Sequence, residues 1–174
     1  LFVLSVFALV FVMSAVSAVT LAQWPLTADG VATGVVANVS AGNFVGGSGI
    51  SSPITFGVTG ATASGWSIGA LDATDYFQIS ISPTSGNNLN INEINFGERR
   101  TLTGIRDYQV QWSKSASFAS PTTIATVNVL DDDLERTGNI VGLNINVISG
   151  ETLYIRWFGF TAESGAGDWR INDG

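Results

Sequence analysis

The segment Gly97-Glu98-Arg99-Arg100-Thr101-Leu102-Thr103-Gly104-Ile105-Arg106-Asp107 places three guanidiniums in a connection between strands. Arginines so grouped can grip a carboxylate or sulfate through forked hydrogen bonds, which makes Arg99, Arg100 and Arg106 candidate ligand-binding residues. The competing reading ties them to Glu98, Asp107, Asp75 or Asp72, where they would hold neighbouring loops in register. A second cluster, Asp131-Asp132-Asp133 with Glu135, is a dense acidic turn. Oxygen-rich loops suit Ca²⁺, a hard cation with about six to eight ligands, and Asp131 and Asp133 are the candidate ligands. The spacing matches no EF-hand, and a solvated acidic turn has the same composition.

Five tryptophans in 174 residues allow a sugar platform, because aromatic faces stack on pyranose rings. Trp112 and Trp157 fall on apolar strand faces beside Val110 and Ile155 and read as core. Trp24, Trp66 and Trp169 lie near strand ends, so Trp66 and Trp169 join the candidate ligand-binding residues. A glycosidase would need two carboxylates about 5 to 9 Å apart in a cleft, for which Glu93 with Glu98 and Asp72 with Asp75 are the available pairs.

The composition removes other chemistries. There is no cysteine, which excludes thiolate metal sites and cysteine nucleophiles, and no histidine, which removes the usual general base and nearly every zinc or copper site. No catalytic residue is assigned. The net charge of −7 makes nucleic acid or an anionic membrane a poor partner. All seven basic residues lie between Arg99 and Arg170, and the preceding part of the chain is rich in Gly, Ser, Thr, Ala and Asn.

These groups are positioned by short strands. Phe77, Ile79 and Ile81 alternate with Gln78, Ser80 and Ser82, and Tyr108, Val110 and Trp112 alternate with Gln109, Gln111 and Ser113, which is the pattern of half-buried antiparallel strands. Ala125, Val127 and Val129 form a third such run, and Val141, Leu143, Ile145 and Val147 a fourth. Between Leu89 and Phe96 the apolar phase switches, which a bulge near Asn92-Glu93 would repair. The run Leu153 to Phe160 is apolar on both faces, so it belongs in the middle of a sheet or has its Tyr154, Phe158 and Phe160 face covered by a loop or a ligand. No helical period is present after the N-terminal segment. Eight or nine short strands punctuated by turns predict an all-β antiparallel sandwich of jelly-roll type.

Residues 1–22 read as a signal peptide. Leu1 to Val12 is apolar apart from Ser5, small residues follow, and cleavage before Val19 or before Gln23 fits them, the second being preferred because Gln23-Trp24-Pro25 opens the first strand. An uncleaved membrane anchor is the alternative. Either way the domain, residues 23–174, is expected outside the cytoplasm, secreted or at the cell surface.

From Gly65-Trp66 onward the chain resembles a family of secreted bacterial domains found in proteins with C-terminal sorting signals of the PEP-CTERM and type IX secretion kinds. The resemblance lies in Leu71-Asp72-Ala73-Thr74-Asp75-Tyr76-Phe77-Gln78-Ile79-Ser80-Ile81, in Arg99 to Arg106, in Tyr108-Gln109-Val110-Gln111-Trp112-Ser113 with Phe118, and in Gly167-Asp168-Trp169-Arg170-Ile171-Asn172-Asp173. It implies a jelly-roll sandwich broadly like galactose-binding and adhesin modules, belonging to a larger surface protein. In related calcium-carrying sandwiches an Asp of the closing strand helps hold a structural ion, and Asp173 resembles it. The family's closing strand continues past that Asp, so this chain is expected to be truncated there. The leading functional expectation is a non-catalytic module that binds a polysaccharide or surface glycan or mediates surface contacts. A ligand-free spacer or adhesin scaffold is the alternative, and a polysaccharide-active enzyme comes third.

Overall fold

The computed structural model describes residues 19–51 and 53–173. The expected signal peptide falls outside the described residues except for Val19 to Ala22. Leu21 and Ala22 pack against the core, and the Leu21 carbonyl accepts a hydrogen bond from the Val36 amide.

The described residues contain no helix and form strands β1 (Val39–Ala41), β2 (Val45–Gly46), β3 (Thr55–Gly57), β4 (Gly60–Ala63), β5 (Tyr76–Pro83), β6 (Leu89–Ile91), β7 (Ile94–Arg100), β8 (Asp107–Ser113), β9 (Thr122–Asn128), β10 (Arg136–Ile140), β11 (Ile145–Val147), β12 (Leu153–Phe160) and β13 (Trp169–Asn172). The larger sheet runs β1-β5-β12-β8-β9, with β2 also paired to β5. The second runs β10-β7-β13-β4-β3, and β11 pairs β6 separately. Every pairing is antiparallel. The chain crosses from one sheet to the other between β2 and β3, β4 and β5, β7 and β8, β9 and β10, and β12 and β13, which is the back-and-forth path of a jelly-roll sandwich.

Period-two alternation sets which side chains meet between the sheets. Phe77, Ile79 and Ile81 of β5, Tyr108 and Val110 of β8, and Leu153, Ile155 and Trp157 of β12 face inward from the larger sheet. Ala61, Ala63, Phe96, Trp169 and Ile171 meet them from the second sheet in one continuous core. Aromatic rings bridge the layers, with centroids 5.6 Å apart for Phe96 and Trp157, 5.8 Å for Phe77 and Trp169, and 5.2 Å for Tyr108 and Trp169. Gly159 makes room for this cluster, since a Cβ there would stand 2.8 Å from Trp66 and 3.1 Å from Trp169.

The phase switch between Leu89 and Phe96 is resolved differently from the expected bulge. The strand is interrupted at Asn92-Glu93, so that β6 pairs with β11 while β7 enters the second sheet. Changing partners relieves the register conflict that a single strand would have to absorb. A register shift does occur at Val110/Gln111, where β8 meets edge strand β9. At one end the layers leave a cavity of about 790 Å³, walled by Ile79, Ile81, Phe96, Ile155 and Trp157 and rimmed by residues that include Asn92 and Glu93.

Candidate functional site

The two charged clusters singled out in the sequence are brought together and pair with one another. Arg99 Nε donates to Asp133 at 2.6 Å, and Arg106 lies 3.2 Å from Asp131 and 2.9 Å from Glu163. Arg100 is fully buried, 3.5 Å from Asp131 and 3.3 Å from Glu163, and it donates to the carbonyls of Thr101 and Leu102. Asp132 bonds Arg136, and Glu135 bonds Arg170. Each carboxylate of the acidic turn therefore has a guanidinium partner. The arginines are tied down as in the structural reading, but to Asp131, Asp133 and Glu163 instead of the acids beside them in sequence. Hydrogen bonding to Arg99 also holds the Asp133 carboxyl below its ordinary range.

Arg99, Arg100 and Arg106 are thus each engaged with carboxylates of the same chain, and Asp131 and Asp133 with arginines. Among the described residues no three His, Cys, Asp or Glu side chains converge to hold a metal ion, and Asp173, exposed after β13, is no exception.

Trp66 and Trp169 also differ from expectation, because both are fully buried. They stack edge to face at 5.2 Å. Trp66 Nε1 donates to the Ala63 carbonyl at 2.7 Å, and Trp169 Nε1 donates to the buried Glu98 at 3.1 Å. Trp169 opens its strand, but β13 lies in the centre of the second sheet between β7 and β4, so a strand end here is not a sandwich rim. Glu98 is pushed up by burial, opposed by its bonds to Trp169 and Arg136.

The carboxylate pairs do not assemble as a hydrolase. Glu98 is buried, whereas Glu93 is exposed and bonded to Asn95. Asp72 and Asp75 share the Thr74 hydroxyl, and their ionisations move apart: hydrogen bonds from Thr74 lower Asp72, while burial raises Asp75. Yet Asp75 is only 4% exposed and Gly49 lies directly over it, its missing Cβ falling 1.8 Å from Oδ1. That carboxyl belongs to a closed turn and not to a cleft.

The group that stands apart is on the outer face of β12. Arg156 faces Gln78 of β5 on one side and Gln111 of β8 on the other. Its Nε donates to Gln78 Oε1 at 2.7 Å, and its guanidinium carbon lies 3.8 Å from the centre of the Tyr76 ring and 4.1 Å from that of Phe118. Among the described residues each of the other six basic side chains has a carboxylate partner, but Arg156 has none, and nothing hydrogen-bonds its Nη1 or Nη2. Burial pushes this guanidinium down from its ordinary value, with the Tyr76 phenol acting in the other direction.

The neighbours share the same half-buried face. Gln111 Nε2 donates to Gln109 Oε1 at 2.8 Å, which leaves a Gln111 acceptor and a Gln109 donor, and Tyr154 and Ser80 extend the row. The loop after β8 supplies Phe118, whose ring lies 5.7 Å from Phe158. Ser113 fixes that loop: its hydroxyl donates to Ala119 and accepts from the Ser115 amide. Phe118 itself has a φ of 57°, a backbone state uncommon for a bulky residue. The two-sided apolarity of Leu153 to Phe160 was the sequence signal for this face, and both readings of it hold, because β12 is central and a loop covers Phe158.

No protein-family model matches the chain, and no curated protein matches it. Among solved structures it is similar to a mutant of a family 29 carbohydrate binding module, with 11% identity, a TM-score of 0.42, and coverage of 84% of this chain and 86% of that one. It is also similar to a mutant of the same kind complexed with mannohexaose, at 10% identity, a TM-score of 0.44, and coverage of 87% and 86%. A third likeness is to a structure described as "CBM4 structure and function", at 9% identity, a TM-score of 0.46, and coverage of 74% and 88%.

Proposed function

We propose that this chain is a non-catalytic, extracytoplasmic β-sandwich module that binds a glycan on the outer face of its larger sheet. The observation carrying this reading is the row Gln78, Arg156 and Gln111 across three paired strands, flanked by Tyr76 and Tyr154. A sugar ring presents hydroxyls that both donate and accept, together with apolar C–H faces. Amides and a guanidinium complement the first, and aromatic rings complement the second. Side chains on paired strands are held in place by the sheet, so little order must be imposed on binding.

The inter-sheet cavity is a poorer fit for such a ligand. Ile79, Ile81, Phe96, Ile155 and Trp157 line part of it, and hydroxyls against those side chains would lose most of their hydrogen bonds to water, although Gln23, Asn90, Asn92 and Asn95 also line it. The face itself offers no carboxylate pair for glycosidic bond cleavage. Asp107, at its edge, is bonded to Asn128 and Thr161.

Retardation in native gels containing a panel of neutral and acidic polysaccharides tests the reading. At least one polymer should slow the wild type, and Tyr76→Ala with Gln78→Ala should abolish the effect while the circular dichroism spectrum is kept. Migration unchanged by every polymer would favour a ligand-free spacer.

A further inference from the structure

We propose that the glycan held on this face carries a carboxylate, a uronic acid residue, and that Arg156 receives it through its two terminal nitrogens. This inference rests on the glycan-binding reading and narrows it to a substrate class. The first support is a contrast among the described residues: six basic side chains are matched to carboxylates, and the seventh, half-buried among uncharged side chains, is not. A desolvated cation with no counter-charge is costly to keep, so a ligand that supplies the charge has much to gain there.

Geometry supplies the second support. Gln78 takes Nε, and the Tyr76 and Phe118 rings lie against the guanidinium carbon, so the side chain is oriented before any ligand arrives. The end-on pair Nη1 and Nη2 is what remains, and its spacing fits the two oxygens of a planar carboxylate. Gln111, opposite Arg156 on β8, is placed to bond the hydroxyls beside that carboxylate. The net charge of −7 does not oppose this locally, because the carboxylates of the acidic turn are matched by Arg99, Arg100, Arg106, Arg136 and Arg170.

The test compares uronate-containing polysaccharides, such as galacturonan, alginate and glucuronoxylan, with the same polymers after chemical reduction of their carboxyl groups, using calorimetric titration of the full chain. Neutral and sulfated polymers are run alongside. At least one uronate polymer should bind about tenfold or more tightly than its reduced form, the scale of a charge-assisted pair. Arg156→Gln should erase that difference, and so should Arg156→Lys, which keeps the charge but loses the fork. Circular dichroism of both variants confirms folding. Equal affinity before and after reduction, a preference for neutral or sulfated polymers, or wild-type discrimination by Arg156→Lys would overturn the uronate assignment while leaving glycan binding in place. Absence of binding to every polymer would overturn the underlying reading as well.

Discussion

Side chains of one type have taken opposite roles here according to their partners. Arg100 is sealed in the protein, and its guanidinium satisfies the carbonyls of Thr101 and Leu102. Arg100→Ala should therefore cost about 2–4 kcal/mol in chemical denaturation, since it empties packed volume and removes the donor from two partly buried carbonyls. Arg99, exposed and bonded to an exposed Asp133, should be removable with little change in the midpoint. Glu98 makes a pH-dependent prediction. Burial raises it above the ordinary 4.5, so the folded state holds its proton more tightly than the unfolded chain does. Its contribution is fully present below about 4.5 and is lost as pH rises through the folded value, so stability should decline over that interval. Glu98→Gln should flatten the decline in melting temperature measured from pH 4 toward neutrality.

At the scale of elements, the β8 to β9 loop decides how much of the proposed binding face is covered. Ser113 is 3% exposed and makes two bonds to that loop, which carries Phe118 over β12. Ser113→Ala should loosen residues 114–121, seen as faster amide hydrogen exchange there, and weaken glycan binding without altering the sheet. The sequence showed β12 to be unusual, because period-two alternation fails when both faces are apolar. It could not show which face would carry a function. That depends on Gln78 and Gln111, which are ordinary outward-facing polar residues until the register sets them on either side of Arg156.

At the scale of the whole molecule, the all-β sandwich was legible from alternation and turn residues, as in Phe77, Ile79 and Ile81. How the local charge clusters pair was not legible, because charge pairing is a long-range property of the fold. The basic connection and the acidic turn are about thirty residues apart, as with Arg99 and Asp133, and they cancel only because β7 and β10 are neighbours in one sheet. The same pairing predicts that chelation with EDTA leaves the melting temperature unchanged, since the acids that suit calcium already bond arginines. A drop of several degrees on chelation, restored by Ca²⁺, would show an ion-dependent fold.

Glycan binding to the outer face around Arg156 is the proposal on which the rest depends. A titration of ¹⁵N-labelled protein with a retained polysaccharide fragment, followed by nuclear magnetic resonance, tests it most directly. The Arg156 Nε–H and the side-chain amides of Gln78, Gln109 and Gln111 should shift first and saturate together. Shifts concentrated at Arg99, Arg106 and the acidic turn, with the Arg156 signal unmoved, would contradict it.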